Sequence, residues 1–362
     1  MNKSGFKLGH RILIISVILI VGNYFLFLGL AKAKVFLAPF LTAVILSLVV
    51  LPLCKKFEKS GAKRSLSSFT NTFLLFIISL GFIALVFFQM QSMVSKWPKI
   101  KETMKPKIEQ LKTFAAEKTP ISKEKIESKS TSSSIIESGS GQGKKSVSFL
   151  TKIMSFSGTY LLVFIYIFFL LNYRDRFKKF LIRLFPDEKR KKVKNVIHQS
   201  AQVVQNYLLG KLILMGLLAV VYSIGLGLSG VSNFILVSII AALLTIIPYI
   251  GNIIGLILAM AFGYLTSGEM GVLIGVAITF TVSQFLESYV LQPYVVGDKV
   301  DLHPFFVILV VVIGNALWGV IGMILAIPVT AIITIIFLHV SPLHPFGFLL
   351  SKKSASEENS GS

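Results

Sequence analysis

The residue best placed to do chemistry is Glu287, which lies in the run TFTVSQFLESYVLQP as the one carboxylate well inside an apolar stretch of the C-terminal side. An ionised side chain within a membrane span costs roughly 2.5–3.5 kcal/mol on insertion scales, so it needs a reason to be there. Gln284 sits one turn before it and Gln292 just beyond. A buried glutamate with amide neighbours can carry a proton or bind a monovalent cation, whereas a glutamate at the cytoplasmic membrane face would only make a structural hydrogen bond. Both readings stand at this level. Lys211, in NYLLGKLILMG, opens an earlier apolar run, the fifth span. It either snorkels to the interface or pairs with Glu287.

A second group gains its interest from position. PYIGN at 248–252 and GNALWG at 314–319 interrupt long apolar runs. Irregular backbone at membrane depth survives only where protein or a water-filled cavity satisfies its polar groups. Pro248, Gly251, Asn252, Gly314 and Asn315 are therefore candidates to line a solute path, or else the tips of tight hairpins packed on their neighbours. Gly255, Gly271, Gly275, Gly319 and Gly322 read as close-packing positions. Asp298 and Asp301 flank Lys299 and read as turn and cap residues. His198, His303 and His339 share no ligand spacing, so no metal site is expected. There is no phosphate-binding glycine loop, no GxSxG and no HExxH, so neither an enzyme nor a cofactor is expected.

The elements that must position these residues follow from composition. Of 362 residues, 54% are hydrophobic and only 15% charged, which excludes a soluble globular domain. Cys54 stands alone and cannot form an internal disulfide. Lys and Arg number 37 against 16 Asp and Glu. That excess falls between the apolar runs, at Lys3 to Arg11, Lys55 to Arg64, Arg174 to Lys194 and a central segment from Lys96 to Lys145, as in loops flanking spans, and without the aromatic interleaving of a nucleic-acid surface. Uncharged runs at Ile12 to Ala31, Val35 to Cys54, Ser65 to Ser95 and Ile153 to Tyr173 predict four spans. Between the third and fourth, Lys96 to Leu150 predicts one amphipathic helix through Ile100, Met104, Ile108 and Leu111, then a polar tip from Ser128 to Gly143. After the fourth, Phe177, Phe180, Leu181, Leu184 and Phe185 share a helical face ringed by cations, which predicts an interfacial helix. With the short basic loops inside, both termini are cytoplasmic and the long loop faces outward.

From Leu212 to Gly268 the chain carries 57 residues without a charge, about 85 Å as one straight helix, so it must turn. LGLSGVSN at 226–233 ends one span, and the run from Phe234 to Thr266 is broken at 248–252. Met270 to Leu291 is the next span. Phe305 to Leu338 is then broken at 314–319, with Pro328 beyond. One span followed by one broken element thus occurs twice, which predicts an inverted repeat if the broken elements are re-entrant, or eight full spans if they are not. The expectation is an all-α polytopic membrane protein of six to eight spans. Its parts are spans 1–3 at 1–94, an outer loop at 95–150, span 4 at 151–173, a basic amphipathic helix at 174–204, a transport half at 205–340 and a tail at 341–362.

IPYIGN at 247–252, Glu287, QPYVVGDKVDLHPF at 292–305 and IGNALWGVIGMILAIPV at 313–329 stand in this order in the chain. Together with APFLTAVILSLVVLPL at 38–53, they resemble the autoinducer-2 exporter family of bacterial membrane proteins. Asn252 stands where a proline is common after the glycine, and Asn315 where a second glycine is common. The resemblance implies a multi-pass, homo-oligomeric secondary carrier in the bacterial inner membrane. Its expected partners are membrane lipid and either a small polar solute such as autoinducer-2 or, as for other members, sodium or lithium exchanged for protons. A scaffold without transport is the reading that needs no intramembrane site.

Overall fold

The computed structural model describes residues 3–95, 142–248, 250–295 and 300–352. The amphipathic helix expected at Lys96 to Leu111, the polar tip before Gln142, and Asp298 with Lys299 lie outside them. All regular structure among the described residues is helical. In chain order the helices are α1 (Lys3–Lys32), α2 (Lys34–Lys59), α3 (Arg64–Ser95), α4 (Gln142–Asn172), α5 (Arg174–Arg183), α6 (Asp187–Leu228), α7 (Phe234–Leu244) and α8 (Ile250–Ser267). Next come α9 (Met270–Phe285), a π-helical stretch at Leu286–Leu291, α10 (Gln292–Val295), α11 (Pro304–Trp318), α12 (Val320–His339) and α13 (His344–Leu350).

Five stretches are long and apolar enough to cross a bilayer: Lys34–Lys59, Arg64–Leu85, Asp187–Leu228, Met270–Val295 and Val320–His339. A sixth exists if Ser157–Asn172 and Arg174–Arg183 count as one span, but these are bent by 67° at Tyr173. The described helices thus give five or six spans, so the upper expectation of eight is not reached. The reason is length. The apolar parts of α7, α8 and α11, Phe234–Leu244, Ile250–Tyr264 and Pro304–Trp318, are shorter; eleven residues of α7 rise only about 16 Å, roughly half the hydrocarbon thickness.

Both interrupted runs are broken, each at one end of the expected stretch rather than at its centre. The first breaks at Thr245 to Pro248, and Gly251 and Asn252 already lie in the first turn of α8. The second breaks at Gly319 alone, which takes φ 67°; Gly314 and Asn315 are helical within α11, contrary to an irregular centre at 314–315. The cause is local. A glycine at positive φ reverses the chain in one residue, so the residues before it need not leave the helix. Pro328 is buried inside α12 without ending it, as neighbouring protein permits at membrane depth.

The chain divides into two compact units. One comprises Met1–Ser68, Leu162–Gln205 and Val300–Ser362. Within it α11 and α12 form an antiparallel hairpin whose backbones meet at Gly314 and Gly322, where a Cβ on either would strike the carbonyl of the other. Trp318 Nε1 donates to the Leu30 carbonyl at 2.9 Å, fastening the hairpin tip to α1. Ser67 Oγ donates to the Cys54 carbonyl at 2.9 Å between α2 and α3. Asp301 accepts from Ser351 Oγ and, at 2.8 Å, from the Lys352 amide. That residue is therefore a clasp on α13 rather than a local turn cap.

The other unit comprises Phe69–Leu161 and Asn206–Lys299. Its core packs Leu214, Leu218, Tyr222 and Leu226 of α6 against Val237 and Ala241 of α7, Ala259 of α8, and Val272, Val276 and Phe280 of α9. Tyr222 and Phe280 stack with centroids 4.6 Å apart. Lipid tails are as apolar as leucine, so close van der Waals packing and small residues hold such helices together. Gly255 meets Ala241 at a would-be Cβ distance of 3.4 Å and Gly275 meets Ser229 at 2.6 Å, whereas Gly271 has open space around it. Asn233 at φ 55° and Gly230 at φ 77° make the turn from α6 into α7, where the sequence placed it.

Candidate polar site

Three elements of the second unit deliver the site. From α6 comes Lys211, from the first turn of α8 comes Asn252, and from the end of α9 and its π-helical continuation come Gln284 and Glu287. Glu287 is 6% exposed. Its two carboxylate oxygens have different partners: Oε1 faces Lys211 Nζ at 3.8 Å and Oε2 accepts from Asn252 Nδ2 at 2.9 Å. The same Asn252 amide donates to Gln284 Oε1 at 2.6 Å, and Gln284 Nε2 donates to Ser288 Oγ at 3.1 Å.

The orientation of the Asn252 amide follows from its neighbours. Turned over, its oxygen would face a carboxylate and a second amide oxygen, three acceptors without a proton between them. As placed, Oδ1 is left buried with no hydrogen-bond partner among the described residues, an arrangement that costs about 1–3 kcal/mol. The neighbouring Ser283 hydroxyl is likewise buried without a partner. At 3.8 Å the ammonium is an ionic neighbour of the carboxylate rather than a close hydrogen-bonded one, which leaves the pair separable.

The backbone contributes too. Leu286–Leu291 is π-helical, and such widened turns interrupt the ordinary i−4 ladder and recur at functional sites. Nothing in FLESYVLQP announces it, since proline and glycine are absent from its interior. Ser288 also escaped sequence reasoning, although its i, i+4 spacing from Gln284 is the signal that would have found it.

The sequence candidates are therefore only partly gathered. Glu287, Gln284, Asn252 and Lys211 share one polar cluster. Pro248 lies in the turn just before α8, and its carbonyl accepts from the Ile250 amide at 2.7 Å. Gly251 is buried in packing, with the Leu244 carbonyl where its Cβ would be. Gly314 and Asn315 belong to the first unit; Gly314 packs on Gly322, and the exposed Asn315 offers its carbonyl to the Gly319 amide at 2.8 Å. Among the described residues no group of three or more His, Cys, Asp or Glu could hold a metal ion.

The model of the AI-2E family transporter matches residues 13–341, most of the chain. The chain belongs to the AI-2E transporter family. It is a bacterial multi-pass membrane protein of that family. Among curated relatives, it is 29% identical over 173 residues to the putative transport protein YrrI of Bacillus subtilis, covering 48% of each chain. It is 26% identical over 193 residues to the putative transport protein YueF of the same organism, covering 53% of this chain and 51% of that one. A putative transport protein of Borreliella burgdorferi is 26% identical over 211 residues, covering 56% and 57%. These matches span about half the length of each relative.

Proposed function

We propose that this AI-2E family member is a secondary carrier that exports a small polar solute such as autoinducer-2, with Glu287 as its coupling residue. One observation carries the reading: a carboxylate is buried in an apolar unit between a lysine and an asparagine delivered by two other helices. A scaffold has no need of such a group, since a hydrophobic replacement of a buried ion pair is often neutral or stabilising. In the proposal Gln284, Asn252 and Lys211 hold the carboxylate, and its charge changes as solute passes. Pro248 and Gly251 belong to the α7–α8 break, and Gly314 and Asn315 to α11, and in the proposal each group lines part of the solute path. The positive-inside distribution puts both termini in the cytoplasm, and protomers assemble as homo-oligomers.

The 3.8 Å separation of Lys211 and Glu287 favours one second reading, a sodium or lithium exchange for protons in which the cation replaces the ammonium. A single experiment separates them. Purified protein is reconstituted in vesicles with a trapped pH dye, a pH gradient is imposed, and sodium, lithium or autoinducer-2 is added to wild type and Glu287→Gln. Proton movement evoked by the organic solute and lost in the variant supports export. A response to cations alone supports exchange. Silence to all three in wild type, or a variant as active as wild type, sinks the coupling role of Glu287.

A further inference from the structure

Two basic segments far apart in the sequence converge on one surface of the first unit. Lys55, Lys56, Lys59 and Lys63 occupy the end of α2 and its loop into α3, and all are exposed. Lys178, Lys179 and Arg183 lie on α5, of which nothing is buried. Two ion pairs join the segments: Arg174 grips Glu58 with both terminal guanidinium nitrogens, and Arg64 meets Asp175 at 2.7 Å. The pairs neutralise the acidic groups where the segments touch. They leave the surrounding lysines as one cationic belt.

That belt has an apolar companion. Phe180 and Leu184 are each 61% exposed, and Phe177 and Phe185 of the same segment and Phe57 of α2 are exposed too. The belt also sits at the ends of three apolar helices, where α2 stops, α3 starts and Ser157–Asn172 turns by 67° into α5. A cationic surface carrying aromatic and aliphatic side chains at the end of membrane spans matches the boundary between headgroups and acyl chains. We infer that the α2–α3 loop and α5 together form a docking surface for anionic phospholipid headgroups, held in shape by the Glu58–Arg174 and Arg64–Asp175 pairs.

The two clamped acids set this surface apart from a simple basic loop. An arginine fork on a carboxylate fixes geometry as well as charge, so α5 is held across the span end, with its lysines beside those of the loop. Several cations then meet one patch of headgroups. Attraction to anionic lipid rises with each of them and is screened by salt.

An environment-sensitive fluorophore on Phe180→Cys, in a Cys54→Ala background, tests this in full-length protein. The protein is reconstituted in phosphatidylcholine vesicles with or without phosphatidylglycerol. Phosphatidylglycerol is expected to shift emission to the blue and to lower quenching by a soluble quencher several-fold. High salt should reverse this, and so should Lys55→Gln with Lys59→Gln, although neither residue is on α5. Equal protection in phosphatidylcholine alone would mean apolar insertion without charge selection and would overturn the inference. So would a label that stays quenched in both lipids, or loop substitutions without effect. A melting temperature of the loop variant in detergent that equals wild type shows that any lost protection is not unfolding.

Discussion

Removing one member of a buried ion pair leaves its partner charged and unpaired, which costs about 3–5 kcal/mol, while removing both is often neutral. Lys211 and Glu287 form such a pair at 3.8 Å, both largely buried. Lys211→Met alone is expected to lower the melting temperature of the purified protein clearly, and Glu287→Gln somewhat less, because the glutamine still accepts from Asn252. The double variant should recover much of the loss. A double variant that falls by the sum of the two single effects would show that the residues do not act on each other. Both charges stood out in the sequence because charges are so rare in these runs, but their pairing stood there only as the alternative to a snorkelling Lys211. The role of Asn252 was not legible. Its contact spans 35 residues and exists only because α8 folds back beside α9, and no local pattern encodes that return.

Hairpins rather than single kinks interrupt the two long apolar runs, and their tightness rests on backbone approach. At Gly251 a Cβ would fall on the Leu244 carbonyl, with the Thr245 amide nitrogen at 2.8 Å, whereas at Gly271 it would meet nothing within 4 Å. Gly251→Ala should therefore destabilise the protein by about 1–3 kcal/mol, the usual scale of overpacking, while Gly271→Ala should be neutral in the same thermal melt. Equal melting of the two variants would refute the close contact of α7 with α8. At this scale the sequence located both interruptions from proline and glycine. It misplaced their centres because glycine has two uses that composition cannot separate. At Gly319 it supplies a positive φ, and at Gly314 it removes a side chain between two continuing helices. The bend at Tyr173 was legible as a change from apolar run to amphipathic charge, whereas the ion pairs that fix it, Glu58 with Arg174 116 positions away and Arg64 with Asp175, were not.

For the molecule as a whole, the proposed carrier must open its polar elements to water on each face in turn. Asn252 follows the break between α7 and α8, and Asn315 precedes the reversal at Gly319. Hydrocarbon excludes charged reagents, so a position at membrane depth reacts with one only when a water-filled path reaches it. Asn252→Cys and Asn315→Cys, each in a Cys54→Ala background, are expected to react with a membrane-impermeant maleimide in intact cells or in inverted vesicles. Transported solute should change the extent several-fold by shifting the population between the two access states. The size of that change depends only on how differently the two states bind the solute, so a solute that binds both equally would alter nothing even while occupying the site. Failure to label either position from either side, under a solute that moves protons in vesicles, would overturn alternating access at these hairpins.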